Sequence, residues 1–166
     1  SLAAANEIQL DSKLSHTTSG CLSLADNDRF GSAVDGIGDL NGDGFEDIVV
    51  GRPDADTTNL NNGAIDILFL DGHGACIDSR QIPGGHDEEV NVRFGQSVAG
   101  LDDLDGDGVR EIAVGQKDGV QILFMDGGGG VVSSTLIQLF GVPTGIGFGD
   151  SVRGLPDINN NGINDL

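Results

Sequence analysis

The sequence predicts an all-β protein made of β-propeller-type blades of four antiparallel strands: a partial propeller, about two full blades plus parts of flanking ones. Three observations carry this. A long segment recurs within the chain, and internal repeats govern the fold wherever they occur. Each copy holds four short apolar runs bounded by Gly and Asp, the signature of strands. No segment sustains the 3.6-residue period of an amphipathic helix. Glycine makes up 28 of the 166 residues, far above the usual ~7%, so the chain is dense in turns.

The repeat is plain once the copies are set side by side. Phe30 to Gly51 reads FGSAVDGIGDLNGDGFEDIVVG, Phe94 to Gly115 reads FGQSVAGLDDLDGDGVREIAVG, and Phe148 to Leu166 reads FGDSVRGLPDINNNGINDL. They align without a gap. Downstream, Ala64–Gly72 (AIDILFLDG) matches Gly119–Gly127 (GVQILFMDG), and Ile8-Gln9-Leu10 equals Ile137-Gln138-Leu139. The units are therefore 30–93, 94–147 and the start of a third at 148–166, with 1–29 as the end of a preceding blade and its connecting loop.

Each element follows in order. The first strand is expected at FGxSV, with Val34, Val98 and Val152 at matching places. The second is the β-branched run Asp47–Val50 or Glu111–Val114. The third is Ile65–Leu70 or Val120–Met125. The fourth lies near Ala75–Ile82 or Val131–Leu139, with Glu7–Leu14 as another copy. Asp71-Gly72 and Asp126-Gly127 fall between strands three and four, where hairpin turns belong. Four short strands per unit at a period near 60 residues describe propeller blades better than a sandwich or a solenoid. Phe30, Phe94 and Phe148 recur with the repeat and are expected in the core between blades; Phe69 and Phe124 belong to strand three.

Between strands one and two of every unit lies D-x-[DN]-x-[DN]-G-x-x-[DE]. The candidate ligands are Asp39, Asn41, Asp43 and Asp47 in the first copy and Asp103, Asp105, Asp107 and Glu111 in the second. The third offers Asp157, Asn159, Asn161 and Asp165. Alternate side chains can converge on one ion where the backbone wraps around it. Ca²⁺ takes six to eight hard oxygen ligands at about 2.3–2.6 Å, and a backbone carbonyl at Phe45, Val109 or Ile163 would supply one more. Gly44, Gly108 and Gly162 follow, where the sharp turn calls for φ > 0. An EF-hand is excluded, because its position 12 requires Glu and helices must flank the loop; here that position is Val50 or Val114 within a β run. Mg²⁺ fits less well because it keeps waters in a compact octahedron, and Zn²⁺ finds no His or Cys in the loops. Carboxylate count ranks the loops second, first, third.

FG at the start, the DxDxDG loop and the following [IV]xVG resemble FG-GAP repeats, which build the β-propeller of integrin α-subunits and related extracellular proteins. The GAP portion is kept loosely, as Gly51-Arg52-Pro53 and Gly115-Gln116-Lys117. The resemblance covers nearly the whole chain. It implies structural Ca²⁺ in the loops, a secreted or cell-surface location, and a role in adhesion, recognition or assembly with a protein or glycan ligand. It also allows an accessory, non-catalytic part of a larger secreted hydrolase.

Composition narrows the partners. The net charge is −19, from 27 acidic and 8 basic residues. Nucleic acid is an improbable partner, because phosphate binding needs Lys and Arg. No apolar run reaches the ~18 residues of a membrane-spanning helix, and Ser1–Leu10 lacks the basic and apolar regions of a signal peptide. Cys21 and Cys76 fit no metal spacing; whether they pair is open. His16, His73 and His86 share no spacing, and Gly127–Gly130 lacks the Lys-Ser/Thr of a phosphate loop, so it reads as a flexible turn. No catalytic constellation stands out, so no enzyme is expected. Asp54–Asn62 is an insertion of the first unit, either surface ornament or partner loop. A closed propeller needs four to eight blades. The chain is therefore expected either to belong to a longer protein or to complete its blades by self-association through open edges.

Overall fold

The computed structural model describes residues 21, 24–57, 60–85, 90–141, 143–160, 163, 165 and 166. Eight strands form two antiparallel meanders. In the first, β1 (Val34–Gly38), β2 (Asp47–Arg52), β3 (Ala64–Leu70) and β4 (Cys76–Pro83) lie in sequence order. In the second, β5 (Ser97–Gly100), β6 (Ile112–Gln116), β7 (Gly119–Met125) and β8 (Val131–Gln138) repeat the arrangement. No helix occurs among the described residues. The expected copy of strand four at Glu7–Leu14 lies outside them.

Strand periodicity divides each sheet between two cores. From the first sheet, Ile37, Val49, Ile65, Ile67 and Phe69 face the second sheet, where they meet Phe94, Val98, Ile112, Val114, Leu123 and Met125. The residues in between, Val50 and Leu68, turn to the opposite face, against Cys21, Leu24 and Phe30. On the far side of the second sheet Ala99, Ala113, Val120 and Ile122 lie under Phe148 and Val152. The two blades are thus stacked face to face, and the start of the third unit covers the next face. Phe94 is buried as expected, while Phe30 and Phe148 are only half-buried.

In the first two units the first strand begins at the end of FGxSV, at Val34 and at Ser97. Phe-Gly sits in a tight turn instead: the N–H groups of Ser32, Gln96 and Asp150 donate to the carbonyls of Arg29, Arg93 and Gly147. Gly31, Gly95 and Gly149 take φ of +86°, +88° and +91°, a conformation that favours glycine. In the third unit Phe148–Val152 forms no strand, and pairing among the described residues is confined to a Leu155–Asp165 bridge.

That turn docks one unit on the previous one. A Cβ on Gly51 would lie 2.0 Å from the Gly95 carbonyl oxygen, and one on Gly115 would lie 2.0 Å from that of Gly149. Along the first strands, a Cβ on Gly100 would lie 2.3 Å from the Gly36 carbonyl oxygen. Polar contacts follow the same seams. Gly100 N–H donates to Asp35 (2.9 Å) and Ser97 Oγ to the Gly149 carbonyl (2.8 Å). Gly145 N–H donates to both carboxylate oxygens of Asp118.

Cys21 and Cys76 form a disulfide that ties the segment before the first blade to β4. The insertion after β2 is no loose ornament where it is described: Ala55 and Asn62 are buried, and Asn61 Nδ2 donates to Asn91 Oδ1 of the β4–β5 connection.

A buried ion triad lies at the same end of the first blade. Arg52 pairs with Asp28 at 3.0 Å and with Asp66 at 2.8 Å, and all three residues are buried. Burial outweighs the attraction of Arg52 and, with help from Asp28, pushes Asp66 up to about 6. Since the unfolded value is about 3.9, the folded state binds this proton more tightly. The resulting stabilisation is complete below the unfolded value and is lost as pH rises through 6. Its size is on the order of 2–3 kcal/mol. In chelator, urea melts of the wild type should lose stability between about pH 4 and 6.5, and Asp66→Asn should flatten that slope. Parallel slopes would show that Asp66 is not the group responsible.

Candidate metal centre

The first two aspartate loops join β1 to β2 and β5 to β6, as the motif requires, and the third lies within the Leu155–Asp165 bridge. Local hydrogen bonding explains their shape. In the first loop Asp39 accepts from the N–H groups of Asp43 (2.9 Å) and Gly44 (2.8 Å). In the second Asp103 accepts from Gly106 (2.7 Å), Asp107 (3.2 Å) and Gly108 (2.9 Å). Asn41 and Asp105 each accept from the residue two places on, the Asx-turn geometry these side chains favour. Asp43 and Asp107 do the same for Phe45 and Val109. Gly44 and Gly108 take φ of +93° and +91°; Gly162 lies outside the described residues.

The acid at position 9 locks each loop shut. Asp47 accepts from Leu40 N–H, Glu111 from Leu104 N–H and Asp165 from Ile158 N–H, always the residue after the first aspartate. It differs in what its second oxygen does. Asp47 uses it for Leu70 N–H at 3.1 Å, and Asp165 for Asn159 Nδ2 at 3.0 Å. Glu111 Oε1 is buried with no hydrogen-bond partner.

That orphan oxygen belongs to the best-formed cluster. Asp103, Asp105, Asp107 and Glu111 each offer a carboxylate oxygen, and these atoms lie within 4.8 Å of one another. Two ligands on opposite sides of one Ca²⁺ ion span about that distance. Among the described residues this is the one such gathering of His, Cys, Asp or Glu. Glu111 is wholly buried while Asp105 and Asp107 are exposed. Its carboxyl is held above the ordinary range by burial first and then by the charges of Asp105, Asp103 and Asp107. Asp47 is raised too, again by burial and then by Asp43, against its backbone hydrogen bonds. An all-oxygen donor set with a buried, unsatisfied carboxylate oxygen and uncompensated negative charge fits a hard divalent cation.

In the third loop Asp157 is half-buried and Asn159 exposed, and Asn161 lies outside the described residues. At position 7, the side chains of Phe45 and Ile163 are exposed and that of Val109 is half-buried. His73 is exposed, and His16 and His86 lie outside the described residues. Gly127–Gly130 is a hairpin turn held by Asp126, which accepts from Gly128 and Gly130 at 2.8 Å. The orphan oxygen at Glu111 had one signal in sequence: it is the only Glu at position 9, one methylene longer than Asp.

The family model described as FG-GAP repeat matches residues 30–68, from the first Phe-Gly into β3. Integrin alpha-4 of Xenopus laevis is 32% identical over 145 residues, 82% of this chain. The chain belongs to the FG-GAP repeat family. Integrin alpha-E of Mus musculus is 36% identical over 115 residues, 66% of the chain, and integrin alpha-2 of Bos taurus 39% over 95 residues, 54% of it. The matched region spans 14%, 10% and 8% of these three proteins. This FG-GAP chain therefore corresponds to a small part of each relative, and its blades are integrin-alpha-like.

Proposed function

We propose that this chain is a non-enzymatic, calcium-stabilised module of an extracellular protein that acts in adhesion or recognition of a protein or glycan. The observation that carries the calcium reading is the second loop: four converging carboxylates, one of them with a buried oxygen that has no hydrogen-bond partner among the described residues. The ligands are Asp103, Asp105, Asp107 and Glu111, with the Val109 carbonyl as a further donor. The first loop would use Asp39, Asn41, Asp43, Asp47 and the Phe45 carbonyl. The third would use Asp157, Asn159, Asn161, Asp165 and the Ile163 carbonyl. The extracellular reading draws on the integrin alpha relatives and on the disulfide, which persists in oxidising compartments.

Calcium here acts on geometry. Each loop sets the angle between strands one and two, and bound ion neutralises acids that otherwise repel. Free Ca²⁺ near millimolar outside cells suits sites of about 10⁻⁴–10⁻³ M. The affinities should fall in the order second, first, third. The first loop has a neutral Asn41, and both Asp47 oxygens already accept backbone N–H groups. In the third, Asp165 is similarly engaged and only two charged ligands remain. Calorimetry on Asp39→Ala, Asp103→Ala and Asp157→Ala should show the largest loss of binding heat for Asp103→Ala. Equal losses would defeat the ranking, and no heat in the wild type would defeat the calcium reading.

A further inference from the structure

We propose that β8, the outer strand of the second blade, is a docking edge for a second copy of this chain, which adds its own β8 antiparallel to it. The strand lies at the sheet edge, and all eight of its residues are exposed. Among the described residues no backbone group outside β7 pairs with it. Val132, Leu136 and Ile137 are 69%, 43% and 41% exposed, and Phe140 just beyond is 91% exposed. Native proteins guard such edges with charge, with proline or with a covering segment.

The sibling strand β4 has every one of these guards. It carries Asp78, Arg80 and Pro83. Cys21 is bonded to it through Cys76 and accepts a hydrogen bond from Ser79 Oγ. Among the described residues β8 has none of them, and the whole stretch Gly127–Gly149 contains no charged residue.

Charge selects the occupant. The chain carries −19, so most approaches of one copy to another bring like charges together. The neutral stretch around β8 is where two copies meet without that penalty. Antiparallel pairing about a two-fold axis at Ser134 sets Val132 opposite the second copy's Leu136, twice over. Such aliphatic cross-strand pairs favour sheet formation, and the contact is self-complementary as a two-fold interface must be.

Sedimentation equilibrium of the full chain over about 1–100 μM, the range of weak protein interfaces, tests this. A reversible dimer is expected, strengthened by added salt as repulsion is screened. Leu136→Lys and Val132→Lys should each weaken it at least tenfold. Both side chains are exposed, and a thermal melt of each variant confirms the fold; either variant suffices for the test. Amides of β8 should gain hydrogen-exchange protection as concentration rises. A monomer throughout, a dimer insensitive to both substitutions, or unprotected β8 amides in the dimer would each overturn the proposal.

Discussion

Glu111→Gln is expected to reverse the order of stability between calcium and chelator. In about 1 mM Ca²⁺ the wild type should be the more stable protein; in chelator the variant should equal or exceed it. The argument starts from the carboxyl group itself. Glu111 is fully buried, one oxygen holds Leu104 N–H, and the other has no partner among the described residues. Three aspartates converge beside it. Without a cation the ionised form is disfavoured, as its raised pKa shows, and a neutral amide of the same shape relieves that repulsion. With a cation the same carboxylate becomes a ligand. A site half-filled at about 100 μM would stabilise the fold by ~1.4 kcal/mol at a tenfold excess of ion. Glutamine keeps an oxygen for Leu104 but loses the charge on which affinity depends. Thermal melts of both proteins with and without calcium give four midpoints, and their crossing is the result to look for. If Gln is worse by the same amount in both conditions, Glu111 is a hydrogen-bonding residue and holds no ion.

Much of this was legible in the sequence because each feature has a local cause. The strands β2, β3, β4, β6, β7 and β8 fall within about two residues of the apolar runs that predict them. The loops are legible because ligand chemistry dictates residue type and spacing together. What was misread or left open has non-local causes. Phe-Gly looks like the start of a strand, yet its turn is shaped by docking on the preceding blade, where Gly95 meets Gly51. The need for glycine at 100 could not be read locally, because the Gly36 carbonyl that a Cβ there would meet sits 64 residues away in the preceding unit. The Arg52–Asp28–Asp66 triad could not be seen, since nothing in a sequence marks a charge as buried. Cys21 and Cys76 were open until the fold brought them together.

Gly115→Ala should be among the most damaging single-methyl additions in the chain, costing about 3 kcal/mol or more, at the upper end for overpacking. The new Cβ would lie 2.0 Å from the Gly149 carbonyl oxygen and 2.0 Å from Ser97 Oγ. One obstacle is a side chain, but the other is backbone, fixed by the 147–150 turn and by the Ser97 hydroxyl that donates to that same carbonyl. Relief requires the third unit to move off the second blade, which uncovers Val120 and Ile122 where Phe148 and Val152 lie. Gly51→Ala should behave alike, since Gly95 meets it in the same way, but there the displaced neighbour is a whole blade and the core between sheets opens. The control is Gly74→Ala. Gly74 has φ +75° and nothing within 4 Å of an added Cβ, so it reports backbone strain alone, about 1–2 kcal/mol. Urea denaturation of the three variants separates the two effects: steric exclusion between units predicts both seam variants well below the control. Were all three to lose the same, glycine in the [IV]xVG motif would be a matter of strand conformation, and the spacing between blades would have to be set by the apolar core instead.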